Sequence, residues 1–210
     1  MNAPVAPKSA RVDGRRQRSE RTRQAIMDAY IALLRERPQI PTAAQIAVRA
    51  GVSTRSIFER FDDLQTLSLA TVDYAFAIGE SQVVARNVDG DRQTRLRSHV
   101  ETRARTCEQW LPLWRVVVNN ASRLDELDVR IRIVREVVSR RIELMYAPEL
   151  GSVDADKRRD LLVALEILTD FESWGRMREV NGLSFEEACR VWVDTIDRLL
   201  PATPRDGHGS

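Results

Sequence analysis

The chain has 210 residues, 43% of them hydrophobic and 30% charged, with a formal net charge of +2, enough for one buried core and a smaller second one. No uncharged apolar run approaches the roughly 18 residues that crossing a bilayer takes, and no apolar stretch follows the basic start as in a secretory signal. A cytoplasmic protein without membrane association is therefore expected.

The two cysteines, Cys107 and Cys189, have no CxxC or other ligand spacing and read as buried thiols in a reducing compartment. The small net charge hides an asymmetry. Residues 1–60 carry twelve Lys/Arg against five Asp/Glu, for +7, while the remainder carries twenty-one against twenty-six, for −5. Arg11, Arg15, Arg16, Arg18, Arg21 and Arg23 supply most of the excess, which suits a polyanionic partner or, for residues 1–20 taken alone, a solvated tail.

From Arg21, the apolar residues Ile26, Ala29, Tyr30, Leu33 and Leu34 fall on one helical stripe that Pro38 stops. Thr42 and Gln45 form a capping box opening a second helix at Ala43, with Ile46, Ala47 and Ala50 facing inward. Gly51 ends it, since glycine takes positive φ without steric cost. Ser53 then caps a third helix whose predicted buried side is Ile57, Phe58 and Phe61. Two short helices joined by so tight a turn predict a helix-turn-helix braced by the first helix.

A linking helix follows from Leu64 to about Asn87, then helices over 92–109, ending before Pro112, over 113–121 and over 124–146. Residues 147–155, with Pro148 and Gly151, read as the longest loop of the body. Helices over 156–180 and 184–200 complete the chain, separated by an Asn181-Gly182 turn and restarted by a Ser184–Glu187 capping box. No period-2 alternation is long enough for a sheet. The expected fold is all-α with about nine helices: a basic arm (1–20), a helix-turn-helix domain (21–64), a helical body (65–201) and a tail (202–210).

In a helix-turn-helix the second helix enters the major groove by its N-terminal residues. Ser53, Thr54, Arg55 and Ser56 stand there, with Arg55 suited to a bidentate contact with guanine. Thr42 opens a helix whose free N–H groups favour a phosphate. Arg21 and Arg60 are placed for further phosphates, and Arg15, Arg16 and Arg18 for the minor groove or flanking phosphates.

These residues also resemble the TetR family of bacterial transcriptional regulators. The resemblance runs from Arg21 to Leu34 and through "PTAAQIAVRAGVSTRSIFERFDDLQTL". A weaker one covers "ESWGRMREVNGLSFEEACRVWVDTIDRLL", which looks like the last two helices of many members. The chain departs from the family at Phe58, where a phosphate-binding tyrosine is usual, and at Leu64, where a lysine is. The resemblance implies a dimeric repressor released from a palindromic operator, its double-stranded DNA partner, by a small-molecule ligand.

The last two predicted helices are apolar on more than one side, with Leu161, Leu165 and Leu168 on one and Trp192, Ile196 and Leu199 on the other. A two-fold four-helix interface would cover them, as would a central position in a larger monomeric core. Trp110, Trp114, Val117, Phe171, Trp174 and Met177 are candidates to line an apolar ligand cavity or simply to fill the core, with Asn119, Asn120, Asp170 and Glu172 as possible polar neighbours. An all-α enzyme is the rival reading, but with His99 and His208 as the only histidines a histidine triad or metal site lacks parts, so neither catalytic residues nor a cofactor or metal is expected. A protein-interaction module with a basic N-terminus fits the charge and gives no reason for the recognition turn.

Overall fold

In the computed structural model the described residues are 8–37, 39–82, 86–120 and 125–204, and they contain helices and no strand. Pro38, Ala121, Leu124, His208, residues 1–7 of the arm and 205–210 of the tail lie outside them, as do the side chains of Arg11 and Arg15. Two compact units divide after Ala77. The boundary falls within the linking helix instead of at its start.

The first unit holds α1 (Lys8–Glu36), α2 (Ala43–Ala50), α3 (Thr54–Phe58) and the opening of α4 (Leu64–Gln82). The helix expected from Arg21 begins at Lys8, because the intervening Arg, Gln, Ser and Glu residues are adequate helix formers and backbone bonding requires no apolar stripe. Arg18 Nε donates to Gly14 O at 3.1 Å and Thr22 Oγ1 to Arg18 O at 2.9 Å along this extension. Its apolar stripe begins at Ile26, and Ile26, Ala29, Tyr30 and Leu34 are at most 5% exposed.

Asp63 Oδ1 accepts from the Thr66 N–H at 2.6 Å, opening α4, and this bond holds the Asp63 carboxyl below its ordinary range. The first half of α4 belongs with α1: Tyr30 Oη donates to Ser68 Oγ at 3.2 Å and Gln24 Nε2 to Tyr74 Oη at 2.9 Å. These cross-links account for the late division between units.

The second unit holds the end of α4 and then α5 (Arg92–Asn120), α6 (Asp125–Met145), α7 (Ala147–Leu150), α8 (Ala155–Leu168), α9 (Phe171–Gly175), a π-helical turn (Arg176–Val180) and α10 (Phe185–Leu199). Three expectations are corrected here. Helix α5 runs through Pro112 as one element of 29 residues. The bond forfeited by the missing Pro112 N–H is offset by a face buried from Arg95 to Val117, where Leu96, Val100, Ala104 and Cys107 are at most 1% exposed.

The expected loop at 147–155 contains α7, with Pro148 in its first turn. The single helix expected over 156–180 is broken at Thr169. Asp170 Oδ1 accepts from the Ser173 N–H at 2.6 Å and starts a new helix as its N-cap. Gly175 allows the close approach of α5 to α9, since a Cβ there would stand 3.0 Å from Leu111 Cδ2 and 2.5 Å from Arg115 Nη2. Arg115 bridges Glu172 and Glu179, each at 3.0 Å, across that glycine.

Arg92 ties α5 to the end of α10, donating to Asp197 Oδ1 at 2.7 Å and to Asp197 O at 2.6 Å. No helix of the described residues is long and apolar enough to cross a membrane.

Candidate nucleic-acid interface

The turn between α2 and α3 is built from local chemistry. Thr42 Oγ1 accepts from the Gln45 N–H at 3.3 Å, and Gln45 Oε1 accepts in return from the Thr42 N–H at 2.8 Å, completing a capping box. Gly51 adopts φ 66°, ψ 32°, and the Val52 N–H closes back on Ala47 O at 3.0 Å, a Schellman-type ending that a Cβ would strain. Two residues later Ser53 Oγ accepts from the Ser56 N–H at 3.1 Å and starts α3. Ile46, Ala47, Ile57 and Phe61, all at most 5% exposed, pin the two helices to α1.

With those four spent inward, the first turn of α3 faces solvent. Thr54 is exposed. The Arg55 side chain is 88% exposed, its Nε 2.9 Å from Glu59 Oε1, one turn on. Such a pair is worth a few tenths of a kcal/mol, so Arg55 exchanges this partner readily. Thr42, Ser53 and Arg21 are also exposed.

Two of the predicted contact residues are committed to the fold. Ser56 is half-buried, and Arg60 Nη1 donates to its O at 2.9 Å and to its Oγ at 2.8 Å. Arg60 thus braces α3 from behind, with Nε buried and without a hydrogen-bond partner. Phe58, expected on the inner side, is 46% exposed, because the core between α2 and α3 is filled by Ile57 and Phe61.

Other features of this unit are not legible from spacing. Arg23, counted among the basic excess, donates to Arg60 O at 2.9 Å and lies with its guanidinium carbon 4.2 Å from the Phe61 ring centroid. Arg49 pairs with Glu36 at 2.5 Å and holds that carboxyl below its ordinary range. Val48 on α2 is 85% exposed, and with Phe58 it gives the charged surface apolar points of the kind that meet a thymine methyl.

The remaining candidates lie in the second unit. Trp110, Val117, Phe171, Trp174 and Met177 are all buried, and Trp114 stacks on Phe171 with centroids 4.8 Å apart. Trp174 donates to Glu108 Oε2 at 2.6 Å and packs on Trp192 at 5.0 Å. These side chains pack on one another within the second unit. A surface hollow of about 690 Å³ follows the polar face of α5 past Thr94, Ser98, Thr102 and Thr106, and another of about 480 Å³ lies beside Glu108, Pro112 and Arg178. Of the six predicted cavity residues the first hollow touches none and the second only Trp174.

Leu161, Leu165, Trp192 and Ile196, expected at a partner surface, are at most 4% exposed within the chain's own core, and Leu168 is half-buried. Leu199 is 40% exposed, and it shares the surface of α8 and α10 with Val163, Ile167 and Val191 at 51, 63 and 42%. A double apolar stripe identifies a crowded helix without telling which stripe its own chain covers.

No family model matches the sequence, and no curated protein does. Solved structures do match. A crystal structure of the multidrug binding protein EbrR complexed with malachite green is 18% identical, over 86% of this chain and 98% of that one, at a TM-score of 0.53. A candidate TetR-family transcriptional regulator from Mesorhizobium loti is 17% identical over 87% and 96%, at 0.54. A candidate transcriptional regulator from Pseudomonas aeruginosa is 19% identical over 85% and 91%, at 0.57. With the short capped helices and left-handed turn just described, the chain has the all-α TetR fold.

Proposed function

We propose that this chain is a sequence-specific DNA-binding transcriptional regulator, acting as a two-fold dimer on a palindromic operator. The observation that carries this reading is the first turn of α3. Thr54 and Arg55 are exposed at the open end of a helix fixed from three sides by a left-handed glycine, a serine cap and an arginine brace. An exposed guanidinium on so rigid a mount suits the O6/N7 edge of guanine. The free N–H groups at the start of α2, beside Thr42, suit a phosphate.

Two-fold pairing supports the DNA reading, because two short recognition helices on one side of a duplex read half-sites one helical turn apart. The exposed apolar residues of α8 and α10 are the surface we assign to that pairing. Release by a small molecule is part of the proposal: a ligand that favours the form not bound to DNA lowers affinity by its differential binding and no more. The EbrR structures complexed with malachite green and with imidazole support a ligand-binding body on this fold. The regulator is expected to be a repressor, cytoplasmic and without catalytic activity.

Footprinting on random or genomic duplex DNA, with competition by unrelated DNA, tests the reading. Protection of a palindrome is expected, with affinity falling steeply as salt rises. Deleting residues 1–18 is expected to flatten the slope of log K against log salt by about one unit for each phosphate that the arm no longer neutralises. Binding indifferent to sequence, or a chain monomeric in solution and on DNA, refutes the proposal.

A further inference from the structure

Helix α6 has two apolar faces, and the described residues of the chain cover one of them. Leu127, Ile131, Ile142 and Met145 are at most 4% exposed, whereas Val129, Ile133 and Val137 are 45, 52 and 42% exposed on the opposite side. Those three stand four residues apart, so they form one row along the outer surface. Glu126, Glu136 and Arg140 are exposed on the same face, and Arg130 is half-buried there, its Nη1 donating to Glu126 O at 2.9 Å.

The order of side chains on this face is self-complementary about Ile133. Three residues to either side stand Arg130 and Glu136, four to either side Val129 and Val137, and seven to either side Glu126 and Arg140. Laid antiparallel on a second copy about a two-fold axis at Ile133, the helix sets Ile133 on its counterpart and Val129 on Val137. The same placement sets Arg130 on Glu136 and Glu126 on Arg140, and the symmetry makes each unlike pair twice. Alternatives lose the match. Parallel pairing puts each charge against its own copy, and an antiparallel pairing centred on Arg135 puts Arg130 on Arg140.

This face is separate from the one assigned to pairing through α8 and α10. Arg158 of α8 reaches Glu143 of α6 at 3.3 Å, and it stands nine residues from Ile167, about half a turn round the helix. The side of α8 that meets α6 is therefore turned away from Ile167.

We propose that the outer face of α6 docks on the same face of a second copy of this chain, antiparallel, with Ile133 at the two-fold axis. A strip about 21 Å long and about 10 Å wide covers well under the roughly 1,200 Å² that stable interfaces bury. The contact is accordingly weak and concentration-dependent. Added to pairing through α8 and α10, it gives each chain two different isologous contacts, which join dimers to one another. It does not rest on the DNA reading.

Sedimentation of the full chain over a concentration series at about 0.1 M salt tests the proposal. An association step that weakens as salt rises is expected. Glu126→Arg and Arg140→Glu, each alone, bring like charges together twice across the axis and are expected to weaken that step about tenfold. The double variant Glu126→Arg/Arg140→Glu is expected to restore it. Within one helix the two positions are about 21 Å apart, about two Debye lengths at that salt, so rescue requires a second copy. Ile133→Asp is expected to abolish the step, and Ile167→Glu, on the α8 and α10 face, to leave it. No step beyond the pairing that Ile167→Glu removes, a step indifferent to the single charge swaps, or a double variant as weak as the singles overturns the assignment. Those results leave sequence-selective DNA binding untouched, whereas a rescued step in a chain that protects no DNA would refute the regulator reading and keep the α6 contact.

Discussion

His99 makes the stability of the chain depend on pH in a range where carboxylates contribute little. The imidazole is 1% exposed, and Arg103 on α5, with Arg141 and Tyr146 on and just beyond α6, are the charged or titratable groups bearing on it. Its value falls from the ordinary 6.5 to about 3, first by burial and then by the two guanidiniums. A folded value below the unfolded one means that the unfolded chain takes the proton first. The stabilising contribution is therefore complete above pH 6.5 and is lost as pH falls below it, at about 1.4 kcal/mol per pH unit until the folded chain also protonates near 3. Between pH 7 and pH 5 the loss is about 2 kcal/mol.

The assay is urea unfolding at half-unit pH steps, compared with His99→Gln, which retains a hydrogen-bonding partner for Tyr146 and does not titrate. The wild type is expected to lose about 2 kcal/mol more than the variant over that interval. His208 is common to both proteins and cancels. Parallel curves for the two would mean that His99 is protonated or water-filled in the folded chain, and the burial argument would fail.

Three further outcomes are expected. Gly51→Ala should destabilise the first unit by about 1–2 kcal/mol, seen in its denaturant midpoint, because the added Cβ meets no atom within 4 Å and the whole cost comes from the backbone at φ 66°; Gly51→Asn should cost less. Asp170→Ala should lower the stability of the second unit by about 1 kcal/mol through loss of the α9 cap, and an unchanged melting temperature would show that the break at Thr169 holds by packing alone. On the protected DNA, Arg55→Ala should weaken specific binding by about 1–3 kcal/mol and relax selection at one base pair, whereas Glu59→Gln should strengthen it modestly by freeing Arg55 from its 2.9 Å partner; gel-shift titrations measure both.

Local signals carried the first unit well. The capping box at Thr42, the left-handed Gly51 and the Ser53 cap are each written within four residues of sequence, and each stands where the spacing placed it. Sequence could not say where α1 begins, because propensity favours a helix back to Lys8 while the apolar stripe starts only at Ile26. In the second unit Pro112 and Asp170 point opposite ways. A proline that normally ends a helix is carried through by a long buried face, and an aspartate inside an apparently continuous pattern opens a new helix by accepting one backbone N–H. Local rules rank the options there, and packing chooses among them.

Charge is where counting misleads most, and the interface shows why. The +7 of residues 1–60 reads as a surface prepared for a polyanion, yet Arg23 closes on Arg60 O and Phe61, Arg49 on Glu36, and Arg60 on Ser56. Those three hold the helices in place, and their guanidiniums are poorly positioned to release counterions from DNA. The salt dependence of binding should therefore be set by Arg16, Arg18, Arg21 and Arg55, exposed in the fold, and by the start of α2. The same brace that holds Arg60 Nη1 against Ser56 fixes the helix on which Arg55 is mounted. On the proposed DNA-binding reading, rigidity at the recognition turn lowers the entropy lost on binding, so an arginine spent on the fold is expected to add to affinity without touching the duplex.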